Sequence, residues 1–281
     1  MPQIKERPEI QPRFRRALGS CLDRVKRLRL RLSSVDFRKI AAAPQVRHVL
    51  VVGVYLTDRP SLIAHLVQAF SGDSHLKVEQ RWAAIGRPSS VQSVKSVTRL
   101  IVAQPRPKNT LVNELLLMEP HQNFDYILIV DDDIVLPRGF LRSFLNIQAF
   151  ADFALAQPAR TGNSWIDHQI VRECPGTLAR QTRFVEIGPL ISIRSDLAPH
   201  ILPLDERSPM GWGLDFIWPV IVEDLHLRMG IIDATPMDHS LREPKSGYSH
   251  RIAHEKMRLL LINTRHLTAE EAHTVIASIK V

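Results

Sequence analysis

Apolar and polar residues follow one another in blocks that are typical of alternating strands and helices. Short runs rich in valine, isoleucine and leucine predict strands over 48–55, 98–103 and 126–130. The apolar positions Val78 and Trp82, followed by the Gly-Arg-Pro stop at 86–88, predict another strand over 77–85. Segments with helical spacing of apolar residues predict helices over 61–70, 109–118 and 139–149. This alternation predicts an α/β, Rossmann-like domain, with a mostly parallel twisted sheet and helices on both faces.

Beyond residue 150 the pattern becomes less regular. It predicts short strands over 154–157, 183–187, 190–193 and 230–234. It predicts helices over 215–227, 252–261 and 269–279. Thr268 and Glu271 have the spacing of a capping box at the start of the last helix.

The strand over 126–130 runs directly into three acids, Asp131, Asp132 and Asp133. Unpaired carboxylates are costly to bury, so the triplet belongs where the strand leaves the sheet. Ligands of open α/β sheets bind at that carboxyl end. Side-chain alternation places Asp131 and Asp133 on one side, where two carboxylates suit Mg²⁺ or Mn²⁺ held with a substrate phosphate. An acidic surface turn is the alternative, and the apolar lead-in disfavours it.

Two further candidates for ligand binding lie near predicted strand ends. Lys108, with Asn113 in the same predicted helix, follows the third strand and would neutralise a phosphate, although a solvated lysine is equally typical there. His239 follows the last strand in a loop and would complete a metal shell, since imidazole also binds Mn²⁺.

A tryptophan between two glycines precedes the predicted helix 215–227. Gly213 and its partner glycine would let the backbone approach a ligand, and Trp212 would offer a flat ring to a sugar. Asp215 at the helix start would accept a proton from an attacking hydroxyl. The alternative is a helix-capping aspartate beside a buried tryptophan.

The order of these motifs resembles the GT-A fold of nucleotide-sugar-dependent glycosyltransferases. The chain is also similar, over residues 47–242, to an uncharacterised plant and bacterial domain family considered glycosyltransferase-like. The motifs that carry this resemblance are the acidic triplet 131–133, V-E-Q-R-W at 78–82, F-V-E-I at 184–187, G-W-G-L-D-F at 211–216, and G-I-I-D at 230–233 followed by His239.

The resemblance implies a metal-dependent, hexosyltransferase-like enzyme that moves a sugar from a nucleotide donor, with UDP-sugars favoured, to a hydroxyl acceptor. It implies Asp131, Asp133 and His239 as ligands of Mn²⁺ or Mg²⁺. Asp131, Asp132 and Lys108 would contact the donor. Trp212 and Gly213 would contact the acceptor, and Asp215 would be the base of an inverting reaction. Many such enzymes have Glu-Asp where this chain has Leu214 and Asp215. This departure concerns the assignment of Asp215 as the base and therefore the inverting stereochemistry.

A basic loop follows His239 and would fold over the donor diphosphate as a lid. A solvated basic loop fits the same pattern. The cationic residues concerned are Arg242, Lys245, His250 and Arg251.

The chain carries a net charge of +8, and this charge is concentrated near the start. Eight arginine and lysine residues lie within 13–31, and leucine and valine recur there at helical spacing. The pattern predicts an arm over 1–46 with a basic amphipathic helix that lies on an anionic membrane or packs on the domain; a solvated basic face fits equally well. No nucleic-acid module accompanies the charge, so nucleic acid is not expected as a partner.

We therefore predict an arm over 1–46 and a GT-A-like catalytic domain over 47–281 that ends in helices. The two cysteines, Cys21 and Cys174, lack the spacing of a zinc site, and a reducing compartment is the simpler assumption. No segment has the pattern of a secretory signal or of a bilayer-spanning helix. The expected location is the cytoplasm, with peripheral contact at the inner face of the membrane as an open alternative.

Two rival functions remain. The acidic triplet also fits the D-x-D motif of haloacid-dehalogenase-like phosphatases, in which the first aspartate is a phosphorylated nucleophile. That family places the motif on its first strand, whereas three predicted strands precede it here. A non-catalytic nucleotide-sugar-binding protein is the second rival, because a protein can keep a fold without the activity that the fold supports in other proteins.

Overall fold

The computed structural model describes residues 48–71, 75–118, 123–243 and 249–281. The predicted arm over 1–46 lies outside these ranges, as do Cys21 and Lys245. Cys174 is half-buried and forms no disulfide. None of the helices in the described ranges combines the length and the apolar composition that crossing a bilayer requires.

A single nine-stranded sheet forms the centre of the domain, in the order β3-β2-β1-β4-β7-β5-β8-β6-β9. Strands β6 and β7 run opposite to the other seven, so the sheet is mostly parallel. In chain order the strands are β1 His48–Leu56, β2 Lys77–Ile85, β3 Thr98–Val102, β4 Tyr126–Asp131, β5 Leu155–Arg160, β6 Thr177–Thr182, β7 Leu190–Arg194, β8 Met229–Met237 and β9 Val275–Lys280.

Helices cover both faces of this sheet. They are α1 Ile63–Ser71, α2 Gln92–Val97, α3 Lys108–Leu117, α4 Phe140–Phe150, α5 Ala198–Ile201, α6 Leu214–Asp224, α7 His250–Ile262 and α8 Ala269–Ala272. A short 3₁₀ turn spans Gln169–Val171. The predicted α/β architecture with helices on both faces is confirmed.

Successive residues of the central strands point to opposite faces, as extended chains require. Val51 of β1 and Leu128 of β4 pack in one apolar core with α1 and α4. Leu50 and Ile127 pack in a second core with α3, α6 and α7. Both faces of these strands are therefore buried against apolar side chains, which is why the strands appear in the sequence as continuous apolar runs.

The prediction of a strand over 183–187 is wrong. The strand in this region, β6, ends at Thr182, and 183–187 form an irregular segment. The sequence of β6 is largely polar, so it contains no apolar run that would predict a strand. Its charged residue Arg180 is buried, because Asp233 of β8 neutralises it.

The prediction of a final helix over 269–279 is also wrong beyond its first turn. The capping box of Thr268 and Glu271 is present, but α8 ends at Ala272. Val275 to Lys280 then form β9, which pairs with β6 in an antiparallel ladder. The β-branched residues Val275 and Ile276 favour a strand, and the partner strand lies about a hundred residues away in the sequence.

The ion pair between Arg180 and Asp233 holds the second half of the sheet together. Arg180 Nε lies 2.9 Å from Asp233 Oδ2, and Arg180 Nη2 donates to Asp233 Oδ1 at 2.9 Å. The two side chains are 9% and 1% exposed. Because β6 and β8 contribute one partner each, the pair joins these two strands where no water can replace a lost partner.

We expect Asp233→Ala to lower the free energy of unfolding by about 3 to 5 kcal/mol, because it leaves a buried guanidinium without a counter-ion. Urea denaturation followed by circular dichroism measures this change.

Asp224→Ala is the matched control. It removes the carboxylate of another Arg–Asp pair, formed with Arg265 at 2.7 Å, but these side chains are 75% and 55% exposed. Exposed pairs contribute little, so we expect a far smaller change. Equal losses in the two variants would contradict the role assigned to the buried pair.

Candidate functional site

A cavity of about 870 Å³ opens at the carboxyl ends of β1, β2 and β4. All eight residues that the sequence predicts for the site line this cavity. They are Lys108, Asp131, Asp132, Asp133, Trp212, Gly213, Asp215 and His239. They come from four separate parts of the chain, and the topology of the sheet brings them together.

The first acid of the triplet, Asp131, is the last residue of β4. Its Oδ1 lies 2.6 Å from Lys108 Nζ, at the first position of α3. The backbone of Gly188 lies against this pair, since a Cβ at Gly188 would come within 3.2 Å of Asp131 Oδ2. Asn113, grouped with Lys108 in the sequence, is turned away from the cavity and bonds the backbone of Leu204.

The second acid, Asp132, is almost fully buried. Its Oδ2 accepts a hydrogen bond of 2.9 Å from the backbone N–H of Leu56 at the end of β1. Burial raises the pKa of this carboxyl, although a contact with Arg242 opposes the shift. Asp132 therefore ties β4 to β1 and Arg242 and has little capacity left for a ligand.

The third acid, Asp133, faces His239, with 3.3 Å between Asp133 Oδ1 and His239 Nε2. Strand β4 ends before Asp133, so the side-chain alternation expected for Asp131 and Asp133 does not extend to it. Burial acts to raise the pKa of Asp133, but pairing with His239 and Arg242 outweighs it and lowers the pKa below its ordinary value.

Arg242 occupies the space between the last two acids. Its Nε donates to Asp133 Oδ2 at 3.0 Å, and its Nη1 donates to the carbonyl of Pro60 at 3.1 Å. Its Nη2 contacts Asp132 Oδ1. The guanidinium therefore neutralises the acids from the loop after β8, where the sequence predicts a basic lid.

The residues around Asp133 offer two ligands to a divalent cation. Asp133 Oδ1 is buried without a hydrogen-bond donor, and it faces an imidazole nitrogen. Asp131, the third predicted ligand, is engaged by Lys108, and the described residues contain no cluster of three or more such ligands. Mg²⁺ and Mn²⁺ sites often use one or two protein ligands and take the rest from substrate phosphates and water, so the pair fits such an ion.

Asp215 lies in the first turn of α6 and lines the same cavity as the triplet. It is 6% exposed, and its Oδ1 has no hydrogen-bond partner. Burial raises the pKa of Asp215 to about 7, and the nearby negative charge of Glu186 adds to the shift. A carboxyl group with a pKa near neutrality can exchange a proton with a ligand at physiological pH.

Among the charged residues of the cavity to which sequence reasoning gave no role are Arg160 and Glu186, which form an ion pair. Arg160 Nη2 lies 2.6 Å from Glu186 Oε2, and both side chains are largely buried. Arg160 Nη2 also donates to the carbonyl of Gly188 at 3.1 Å, so the pair shapes the loop beside Asp131. Glu186 belongs to the F-V-E-I motif at 184–187 that carries the family resemblance, and it stands out there as a glutamate in an apolar stretch.

The tryptophan loop also lines the cavity. Gly213 has a φ of 93°, and a Cβ there would come within 3.0 Å of Met257 in α7. Trp212 is half-buried, and the rings of His250 and His254 in α7 meet it edge-on at centroid distances of 5.2 and 4.8 Å. Helix α7 thus packs directly over the loop that the sequence singled out.

Similarity to solved structures shows the fold. A structure of GalNAc-T7 with UDP, GalNAc and Mn²⁺ matches with a TM-score of 0.51 and 10% identity, over 74% of this chain and 46% of that chain. A structure of S. aureus TarS 1-349 with UDP-GlcNAc matches with a TM-score of 0.51 and 15% identity, over 80% of this chain and 69% of that chain. No protein-family model and no curated protein sequence matches the chain. The fold is that of the GT-A glycosyltransferases, and the chain spans about half the length of the GalNAc-T7 structure.

The raised pKa of Asp215 predicts the direction in which the stability of the folded protein changes with pH. The folded state holds the proton to about pH 7, whereas the unfolded chain releases it near its ordinary pKa of 3.8. Stability therefore falls as the pH rises between these values, because the unfolded state binds fewer protons. We expect Asp215→Asn, which carries no charge, to become progressively more stable than the wild type as the pH rises from 4 to 8.

Urea denaturation at a series of pH values tests this prediction. Asp224→Asn, at the exposed end of the same helix, is the control and should follow the wild-type curve. A constant difference between Asp215→Asn and the wild type across this range would contradict the assignment.

Proposed function

We propose that this protein is a glycosyltransferase that moves a sugar from a nucleotide donor to a hydroxyl acceptor with the help of Mn²⁺ or Mg²⁺. The observation that carries the proposal is the common cavity of Asp131, Asp133, His239 and Asp215. The GT-A fold supports it, because the cavity lies at the carboxyl ends of the strands, where open α/β sheets bind ligands. A UDP-sugar is the first donor to test, since UDP or UDP-GlcNAc is bound in the two similar structures.

On the donor side, Asp133 and His239 would hold the metal ion. A bound divalent cation would stabilise the charge that develops on the leaving nucleotide diphosphate. Lys108 and Asp131 lie at the β4 end of the cavity, where Lys108 is a cation suited to a phosphate and Asp131 an acceptor suited to a ribose hydroxyl. Asp132 would act by holding β4, β1 and Arg242 in place.

On the acceptor side, Asp215 would be the general base. Its Oδ1 is free to accept a proton, and a pKa of about 7 leaves a useful fraction ionised at neutral pH. Asp215 and the acidic triplet line the same cavity, an arrangement that agrees with an inverting reaction. Trp212 would support the acceptor through its exposed surface, and Gly213 gives the backbone room to approach it.

The two rival functions make different predictions for the same protein. A haloacid-dehalogenase-like phosphatase would use Asp131 as a nucleophile, but Lys108 holds that carboxylate at 2.6 Å, and the motif lies on the fourth strand of a GT-A sheet. Release of phosphate from phosphomonoesters without nucleotide-sugar dependence would favour it. A protein that binds UDP-sugars and never turns any over would be a sensor.

We expect UDP with Mn²⁺ to raise the melting temperature of the protein, because a ligand that binds only the folded state stabilises it by mass action. Asp133→Asn should lose the part of this shift that depends on Mn²⁺, since it removes one of the two metal ligands. Differential scanning fluorimetry with UDP, Mn²⁺ and both together provides the measurement.

Two controls sharpen this test. Asp196→Asn removes a carboxylate that pairs with Arg194 outside the cavity, and it should retain the full shift. Asp215→Asn should also retain the shift but lose sugar transfer. The proposal is wrong if UDP and other nucleoside diphosphates give no shift with either metal, or if the Asp133 variant responds like the wild type.

A divalent cation at Asp133 and His239 would lie close to the charge of Arg242, whose Nε is 3.0 Å from Asp133 Oδ2. Like charges repel strongly at such distances inside a protein. We expect Arg242→Gln to bind Mn²⁺ more tightly than the wild type when no nucleotide is present.

Isothermal titration calorimetry with Mn²⁺ alone measures this affinity. Arg183→Gln is the matched control, because Arg183 also pairs with a carboxylate, Glu223, but outside the cavity. Weaker Mn²⁺ binding by Arg242→Gln would show that Arg242 orients Asp133 and does not compete with the metal.

A further inference from the structure

Helix α7, which covers the tryptophan loop, is unusually exposed for a helix of 13 residues. Only Ala253 and Leu260 are buried. Its inner side, which includes Ala253 and Met257, lines the cavity. Its outer side carries three large apolar residues, Ile252, Leu259 and Ile262, which are 50%, 44% and 64% exposed.

These apolar residues form one surface. Ile252 and Leu259 are seven positions apart, so they lie in one row along the helix, and Ile262 lies one turn beyond Leu259. Among the described residues, three of the ten exposed large apolar side chains lie on this helix. Single exposed apolar residues are common, whereas a row of them marks a contact surface.

Basic side chains flank this row. Arg251 and Arg258 are also seven positions apart and form a parallel row beside it, and Lys256 lies on the other side. Glu255 is the one acid of the helix, and it lies 4.0 Å from Arg251. Three cations against one anion leave the helix with a charge of +2 when its histidines are neutral.

We propose that the outer face of α7 docks on an anionic membrane surface. An apolar row flanked by basic residues is the pattern of a helix that lies in the headgroup region of a bilayer. The basic residues would contact anionic headgroups, and the three apolar side chains would enter the boundary with the acyl chains.

Charge excludes two other occupants of this face. The segment 13–31 of the same chain carries eight arginine and lysine residues, so it would be repelled by Arg251, Lys256 and Arg258. A second copy would bring an identical basic face to the contact and would be repelled in the same way. The charge of the helix favours an anionic partner, and the acyl region of a bilayer suits the exposed apolar row.

The docking would place the cavity at the membrane. Ile252 and Lys256 belong both to the outer face and to the lining of the cavity. A bilayer against α7 would therefore lie beside the mouth of the cavity. Resting on the proposed function, this orientation makes the acceptor a hydroxyl of a molecule anchored in the membrane.

A tryptophan placed in the apolar row tests the docking directly. The variant Leu259→Trp of the full chain is mixed with vesicles of phosphatidylcholine, with or without phosphatidylglycerol. With phosphatidylglycerol, we expect its emission to shift to the blue and to be quenched by brominated acyl chains. The emission of the four native tryptophans is measured on the parent protein and serves as the background. Ile101→Trp, on an exposed position of β3, is the matched control and should show no added quenching.

A second variant tests the role of charge. Arg251→Gln combined with Arg258→Gln, made in the Leu259→Trp background, should weaken the lipid response by about fivefold for each charge removed. The basic segment 13–31 is unchanged in this comparison, so the difference reports on α7 alone.

Two outcomes would overturn the proposal. Equal quenching at positions 259 and 101 would show that α7 does not enter the bilayer. A shift in emission at position 259 that appears with protein concentration or an acidic protein, and not with lipid, would assign the face to a protein partner. Neither result depends on UDP or Mn²⁺, so failure of the membrane proposal and failure of the transferase proposal can be distinguished.

Discussion

Neutralisation of three consecutive carboxylates at the end of β4 is the constraint around which the cavity is built. Each acid receives a different partner: Lys108 for Asp131, the backbone of β1 for Asp132, and His239 for Asp133. Arg242 spans the last two. A buried charge without a partner costs several kcal/mol. The triplet is therefore stable at this strand end only while the elements that carry its partners stay in place. The position of the site is thus a consequence of the electrostatics of one strand end.

The central part of the fold could be predicted from sequence because its information is local. Strands β1 and β4 are buried on both faces, so their apolar runs mark them directly. The apolar positions Val78 and Trp82 and the stop after Ile85 mark β2, and the 77–85 prediction coincides with it. The errors fall where a strand depends on a distant partner. Strand β6 contains the buried Arg180, whose charge is neutralised by Asp233 of β8. Strand β9 forms by pairing with the edge of β6. Neither partner is visible within a window of ten residues.

The same distinction applies to the candidate site. The residue types at 131–133, 212, 213, 215 and 239 carry their chemistry in the sequence, and all of them line one cavity. What could not be predicted is how the charges pair. Arg160 and Glu186 come from β5 and from the irregular segment before β7, and their ion pair follows from the sheet order alone. The pairing of Lys108 with Asp131 was likewise hidden, since the lysine suggested a phosphate contact and the aspartate a metal contact.

The charge balance of the cavity links the acidic triplet to Asp215. Around the acidic triplet, Lys108 and Arg242 are engaged by aspartates. Under the proposed function, a donor diphosphate would either take over one of these cations or arrive with a metal ion. Arg160 pairs with Glu186, and burial together with the negative charge of Glu186 raises the pKa of Asp215 to about 7. A cation brought to the triplet would add positive charge to the same cavity and would favour the ionised form of Asp215. Under the proposed function, a donor bound with its metal ion would therefore favour the ionised form of Asp215, the form that the base needs.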